Sequence, residues 1–148
     1  QRPFNFETAP IDRRDDAYRF MNGTPHVPAL YACRPGIGIV KQAGVEKVRA
    51  KSIRQTARII EGALAGGWRV NSPTSAAERG GTVSVDCPHA PQVTRELLAR
   101  DILVDFRPQA GIRLSPHFYN GDEEIDFALE QIAEILATRA WERHMQTA

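Results

Sequence analysis

A chain of 148 residues, 42% hydrophobic and 25% charged, is long enough for one ordinary domain with its own core. Its 19 basic and 18 acidic residues leave a formal net charge of +1, which argues against a nucleic-acid or membrane-surface protein, since either needs a one-sided basic excess. Cys33 and Cys87 are far apart without close cysteine neighbours, so neither a metal knuckle nor a disulfide framework is suggested, and reduced thiols in a cytoplasmic protein are expected.

Residues 1–26 read as irregular, because Pro3, Pro10, Pro25 and the charge cluster Asp12–Asp16 allow little regular structure. The start lacks an initiator Met and a basic-then-apolar signal pattern, and is expected to be a cut into a longer chain. From Val27 to Ala43 the chain is apolar but broken by Pro28 and Pro35, and either proline suits the first turn of a helix. No apolar run approaches the ~20 residues of a membrane span.

Val45 to Leu64 predicts a helix, with Ile53, Ala57, Ile60 and Leu64 on one stripe and Gly66–Gly67 ending it. Trp68–Ser72 reads as a short strand, 73–81 as a loop, and Thr82–Asp86 as a strand with Val83 and Val85 on one face. Pro88 and Pro91 precede a second helix carrying Val93, Leu97 and Leu98. Ile102–Phe106 and Ile112–Ser115 are expected to be neighbouring strands joined by the turn at 108–111. From Asp122 to about Trp141, the stripe Ile125, Ala128, Leu129, Ile132, Ile135 and Leu136 predicts the strongest helix, with Asn120 and Glu123 as its capping pair. The order predicts an α+β layer, with helices on one face of a small, mainly antiparallel sheet.

Residues 105–120, DFRPQAGIRLSPHFYN, hold most of the chemistry. Arg113 sits mid-strand, on the face opposite Ile112 and Leu114. A guanidinium there must reach solvent or find an anion, and its planar fork matches a carboxylate with two parallel hydrogen bonds. Periodicity alone places it on an exposed face or in a pair with Glu123 or Glu124. Taken alone, Gly23-Thr24-Pro25 reads as a turn.

The run DFRPQAGIRLSPHFYNGDEEID resembles the signature near the end of class V aminotransferase-fold enzymes. FMNGTPHVPALYA is similar to that family's Gly-Thr-Pro segment, and GVEKVRAKSIRQTARII to the helix that follows. The likeness covers about residues 20–136. It implies the small C-terminal domain (44–148) of a pyridoxal-phosphate enzyme, an interdomain linking helix over 27–43, and a segment 1–26 continuing from a large domain. It further implies that Arg113 clamps the substrate's α-carboxylate. Gly23 and Thr24 would reach the cofactor phosphate or substrate, commonly from the partner subunit of a homodimer.

The resemblance places the Schiff-base lysine and the aspartate that partners the pyridine nitrogen upstream of Gly23. Lys41, Lys47 and Lys51, the only lysines, all lie downstream, so no catalytic residue is expected within the chain. Cysteine desulfurases of this family carry a nucleophilic cysteine on a long loop before the carboxylate-binding arginine. Here five residues separate Arg107 from Arg113 and none is cysteine, while Cys33 and Cys87 read as small buried hydrophobes. The short connection is more similar to kynureninases, in which the arginine holds an aryl-ketone amino acid while a C–C bond is hydrolysed. His117 and Phe118 depart from the smaller or aliphatic residues usual there.

A class V transaminase is the alternative within this chemistry, and a stand-alone, non-catalytic α+β interaction module the alternative outside it. His117 reads either as a substrate-facing group or as a residue packed beneath the last helix, and His26 gains weight from its place beside the Gly-Thr turn. His89 and His144 read as surface residues. The four histidines have no metal-site spacing.

Overall fold

The computed structural model describes residues 13–21 and 23–145, and these divide into two compact units on either side of the Gln42–Ala43 bond. Half of the expected irregular segment 1–26, namely residues 1–12 and Asn22, lies outside the described residues. Its described part holds a 3-10 turn, Ala17–Phe20, capped by Asp16, whose carboxylate accepts from the Tyr18 N–H at 3.0 Å. Helix α1 spans Val27–Ala43. Pro28 falls in its first turn, as expected, but the helix runs through Pro35 instead of opening there. Lacking an N–H, Pro35 leaves the carbonyl one turn earlier without its intrahelical donor. The α1 N-terminus is closed by His26, whose Nδ1 accepts from the Ala29 N–H at 3.2 Å.

In the second unit, α2 (Val45–Ala65) leads to β1 (Arg69–Val70) and β2 (Val83–Asp86), then α3 (Ala90–Ala99), β3 (Asp105–Arg107), β4 (Gly111–Leu114) and α4 (Asp122–Thr138). The strands form one antiparallel sheet in the order β1-β2-β4-β3. The expected order of helices and strands and the α+β layering are both present. α2 and α3 pack on the sheet, and α4 lies against both helices.

Alternation builds the core. Val83, Val85, Ile112 and Leu114 point to the helices and are buried, as are Ile125, Ile132 and Ile135 of the predicted α4 stripe. Burying one such side chain stabilises by about 1.5–3 kcal/mol. A 3-10 turn, Ala140–His144, follows α4 and buries Trp141, on whose indole the His89 ring stacks at 3.5 Å.

Two helix faces differ from the sequence reading. The buried face of α2 is Gln55, Thr56, Ile59, Ile60 and Ala63, and Leu64 is exposed. The stripe is rotated because Gln55 and Thr56 serve loops: Gln55 donates to the Asn120 carbonyl at 2.9 Å, and Thr56 accepts from Arg79 at 3.0 Å. On α3 the buried set includes Glu96, while Leu98 is exposed. Buried Glu96 is met by Arg100 at 2.8 Å, by Arg143, and by His144 Nε2 at 2.9 Å, so His144, expected at the surface, is half-buried with its ring against Glu96.

The cap of α4 also differs. Glu124, not Glu123, reaches back to the Gly121 N–H at 2.6 Å, and Asn120 donates to Glu124 while accepting from the His117 N–H at 2.9 Å. Gly121 is the N-cap, which puts Glu124 in the third helical position where a capping carboxylate belongs.

Candidate functional site

The face of the sheet turned away from the helices is polar because the strand period sends every second residue there. Strand register places Ser84, Arg113 and Asp105 in one row across β2, β4 and β3, with Arg69 opposite Asp86 one step along. Arg69 pairs with Asp86 at 2.8 Å. The hairpin between β3 and β4 is made by residues 108–110, with Gln109 at φ 67° and Gly111 at φ 95°. A side chain at 111 would fall against the Val85 carbonyl of β2, so glycine there keeps the central strands at bonding distance.

Arg113 therefore lies where the sequence places it, on the open face. Its partner is neither Glu123 nor Glu124. Arg113 Nε donates to Asp105 Oδ1 at 2.7 Å and Nη2 to Oδ2 at 2.5 Å, a two-bond pair between directly opposed residues. Arg107 stands 3.1 Å from the same carboxylate. The Arg113 guanidinium holds the Asp105 carboxyl below the usual range, and Asp105 in turn raises the pKa of Arg113. Two guanidiniums share one carboxylate, which leaves this edge of the sheet positive and attractive to an anion.

Gly23 and Thr24 lie in the first unit, in an exposed bend before α1. Open space surrounds the position where Gly23 would carry a side chain. Among the described residues, the Thr24 hydroxyl and the Gly23 and Thr24 N–H groups make no hydrogen bond.

The remaining candidates separate cleanly. Lys41 and Lys47 are exposed, whereas Lys51 donates to the Phe118 carbonyl at 2.8 Å and ties the 116–121 loop to α2. His117 is exposed, its ring against Phe118 and Tyr119, so it does not pack beneath α4. Cys87 is buried, and burial first, then Asp86, pushes its thiol up to about 12. Cys33 is exposed on α1, contrary to the buried role expected of it. Among the described residues no group of three His, Cys, Asp or Glu could hold a metal ion, and no helix is long and apolar enough to cross a membrane.

Asp105 and Glu96 were not singled out by sequence. Asp105 had a signal, since it stands two residues before Arg107 on the same strand face. Its pairing with Arg113 needed the register. A cleft of about 400 Å³ on the helix side of the sheet is lined by Ile102, Leu114, Ser115 and Phe127 among others, but not by Arg113.

The sheet order, the helices on one face and the arginine on the other define a C-terminal small domain of the class V aminotransferase fold. A cysteine desulfurase from Thermococcus onnurineus NA1 superposes with a TM-score of 0.73 at 22% identity, covering 82% of this chain and 34% of that one. At that identity the likeness is one of fold. The chain belongs to the kynureninase C-terminal domain family, whose model matches residues 48–132. It is 34% identical over 116 residues to the kynureninase of Bacillus mycoides (strain KBAB4), covering 75% of this chain and 27% of that protein. With the kynureninase of Bacillus anthracis it shares 32% over 116 residues, again 75% of this chain and 27% of the relative. The chain thus spans about 27% of the length of these curated relatives.

Proposed function

We propose that this chain is the C-terminal part of a homodimeric, cytoplasmic pyridoxal-phosphate-dependent enzyme that hydrolyses a C–C bond of a kynurenine-type amino acid. The supporting observation is Arg113: a chain of the kynureninase C-terminal domain family presents a guanidinium on an uncovered, positive sheet face, where a carboxylate can approach it. Arg113 would receive the substrate's α-carboxylate and fix its orientation, so that the bond to be broken is held in one geometry.

Pyridoxal phosphate, when bound, would supply an electron sink for the carbon undergoing cleavage. The Gly23–Thr24 bend fits its phosphate, with a hydroxyl and two N–H groups as donors and no side chain at 23 to block approach. Lys41, Lys47 and Lys51 take no part in this reading. The proton-moving lysine would come from outside the chain, and the 148 residues alone would be inactive.

Product analysis of the full-length protein with L-kynurenine tests the reading. Anthranilate and alanine are expected, and Arg113→Ala should raise the KM for L-kynurenine about 100-fold, the scale of a lost charge-assisted pair. Keto-acid formation without C–C cleavage would replace the hydrolase with a transaminase, and no reaction with any amino acid would favour a non-catalytic module.

A further inference from the structure

Building on that reading, we infer that Asp105 is a positioning residue, which grips one edge of the Arg113 guanidinium so that its other edge faces an incoming carboxylate. A guanidinium carries five N–H donors in a plane and offers two forks that accept a carboxylate in parallel: one from Nε and Nη2, one from Nη1 and Nη2. Asp105 occupies the first, through Nε–H···Oδ1 at 2.7 Å and Nη2–H···Oδ2 at 2.5 Å. Among the described residues Nη1 has no hydrogen-bond partner, so the second fork is unengaged.

The arrangement needs the sheet. Asp105 and Arg113 are directly opposed across β3 and β4, which fixes the distance between the backbones from which they grow. Both side chains are solvent-accessible, at 41% and 40%, so a small ligand can reach the pair. A flexible arginine on an exposed face would sample many rotamers, and ordering it on binding costs affinity. Asp105 pre-orders it. The carboxylate does not cancel the attraction for an anion, because Arg107 lies 3.1 Å from it and the trio of two guanidiniums and one carboxylate carries one net positive charge.

Pure Coulomb attraction and positioning predict opposite signs for one substitution. Asp105→Asn removes a negative charge near the ligand, which by charge alone would tighten anion binding. It also removes one acceptor from the grip, which by loss of orientation weakens it.

The test measures binding to the full-length protein by calorimetry, using 4-phenyl-4-oxobutanoate and its carboxamide, which lack the amino group and do not react. Asp105→Asn is expected to weaken the carboxylate about tenfold, as a misplaced clamp does, and to leave the amide within about twofold. Asp105→Ser, which also removes the grip, should repeat the effect and serves if the first variant does not fold. Unchanged or tighter carboxylate binding would overturn the inference, and so would equal weakening of both ligands. Arg113→Ala, run beside these, should abolish the preference for carboxylate over amide. If it does not, the carboxylate-binding role of Arg113 fails, a result separate from any fault in Asp105.

Discussion

Asp105 and Arg113, opposed across adjacent antiparallel strands, share two parallel hydrogen bonds, and Arg107 closes on the same carboxylate from its own strand. The pair reads as a sheet-borne anion receptor already half engaged by the protein. Its electrostatics can be tested without a ligand.

The hydrogen bonds from Arg113 are the largest influence on Asp105 and lower its pKa. A depressed carboxylate contributes stability that is complete above its unfolded value, about 3.9, and is lost as pH falls through the lower folded value. Carbon-detected NMR of the Asp105 carboxyl should therefore give a midpoint below that of an unperturbed aspartate. In Arg113→Ala the midpoint should move back up. An Asp105 that titrates at the same pH in both proteins would show that the pair does not form in solution.

Gly111 gives a prediction about the scaffold. It combines a positive φ of 95° with a position where any Cβ meets the β2 backbone at Val85. Gly111→Ala must strain the backbone and push β2 from β4 at once, and should lower stability by at least about 2 kcal/mol. Urea denaturation of the two proteins measures this. A loss no larger than that of an exposed surface change would mean that the hairpin relaxes without cost.

These residues show what the sequence made legible. The α4 stripe and the alternation of Val83 with Val85 and of Ile112 with Leu114 announced the core, because one face of each element meets only apolar neighbours. The same alternation put Arg113 on the open face. Its partner was not legible, since strand register decides who stands opposite, and sequence distance alone does not separate Asp105 from Glu123 and Glu124. The α2 face differs from its apolar stripe because Gln55 and Thr56 are buried by hydrogen bonds to the 116–121 and 73–81 loops, contacts that hydrophobic periodicity cannot encode. The general habit of cysteine predicts a buried Cys33, and α1 exposes it.

The two thiols therefore differ. Cys87 is buried and its thiol is pushed up to about 12, so at pH 8 it holds its proton and is shielded from reagent. Cys33 is exposed. Titration of the 148-residue chain with an aromatic disulfide should release one equivalent in buffer and two in denaturant. Rapid reaction of both thiols under native conditions would show that the β2–α3 corner opens easily.

Glu96 carries the last and sharpest prediction. Its side chain is fully buried, and burial by itself would raise its pKa. Hydrogen bonds from Arg100, His144 and Arg143 outweigh that and bring it down to about 2. The carboxylate thus fastens the 3-10 turn at Ala140–His144 to α3, helping to seat Trp141 in the core. Because the folded value is depressed, the contribution is fully present above the ordinary glutamate range, about 4.3, and disappears as pH falls toward 2. Acid unfolding followed by Trp fluorescence should begin in that window. Glu96→Gln removes the charge that Arg100, Arg143 and His144 share and should cost about 1–2 kcal/mol at pH 7, the scale of lost charge-assisted hydrogen bonds, since Arg100 keeps Glu134 and the Arg143 side chain is largely solvated. The same variant should flatten the acid limb between pH 4 and 2, since the titrating group is gone. If Glu96→Gln keeps both wild-type stability and the wild-type acid limb, the cluster does not hold the C-terminal turn.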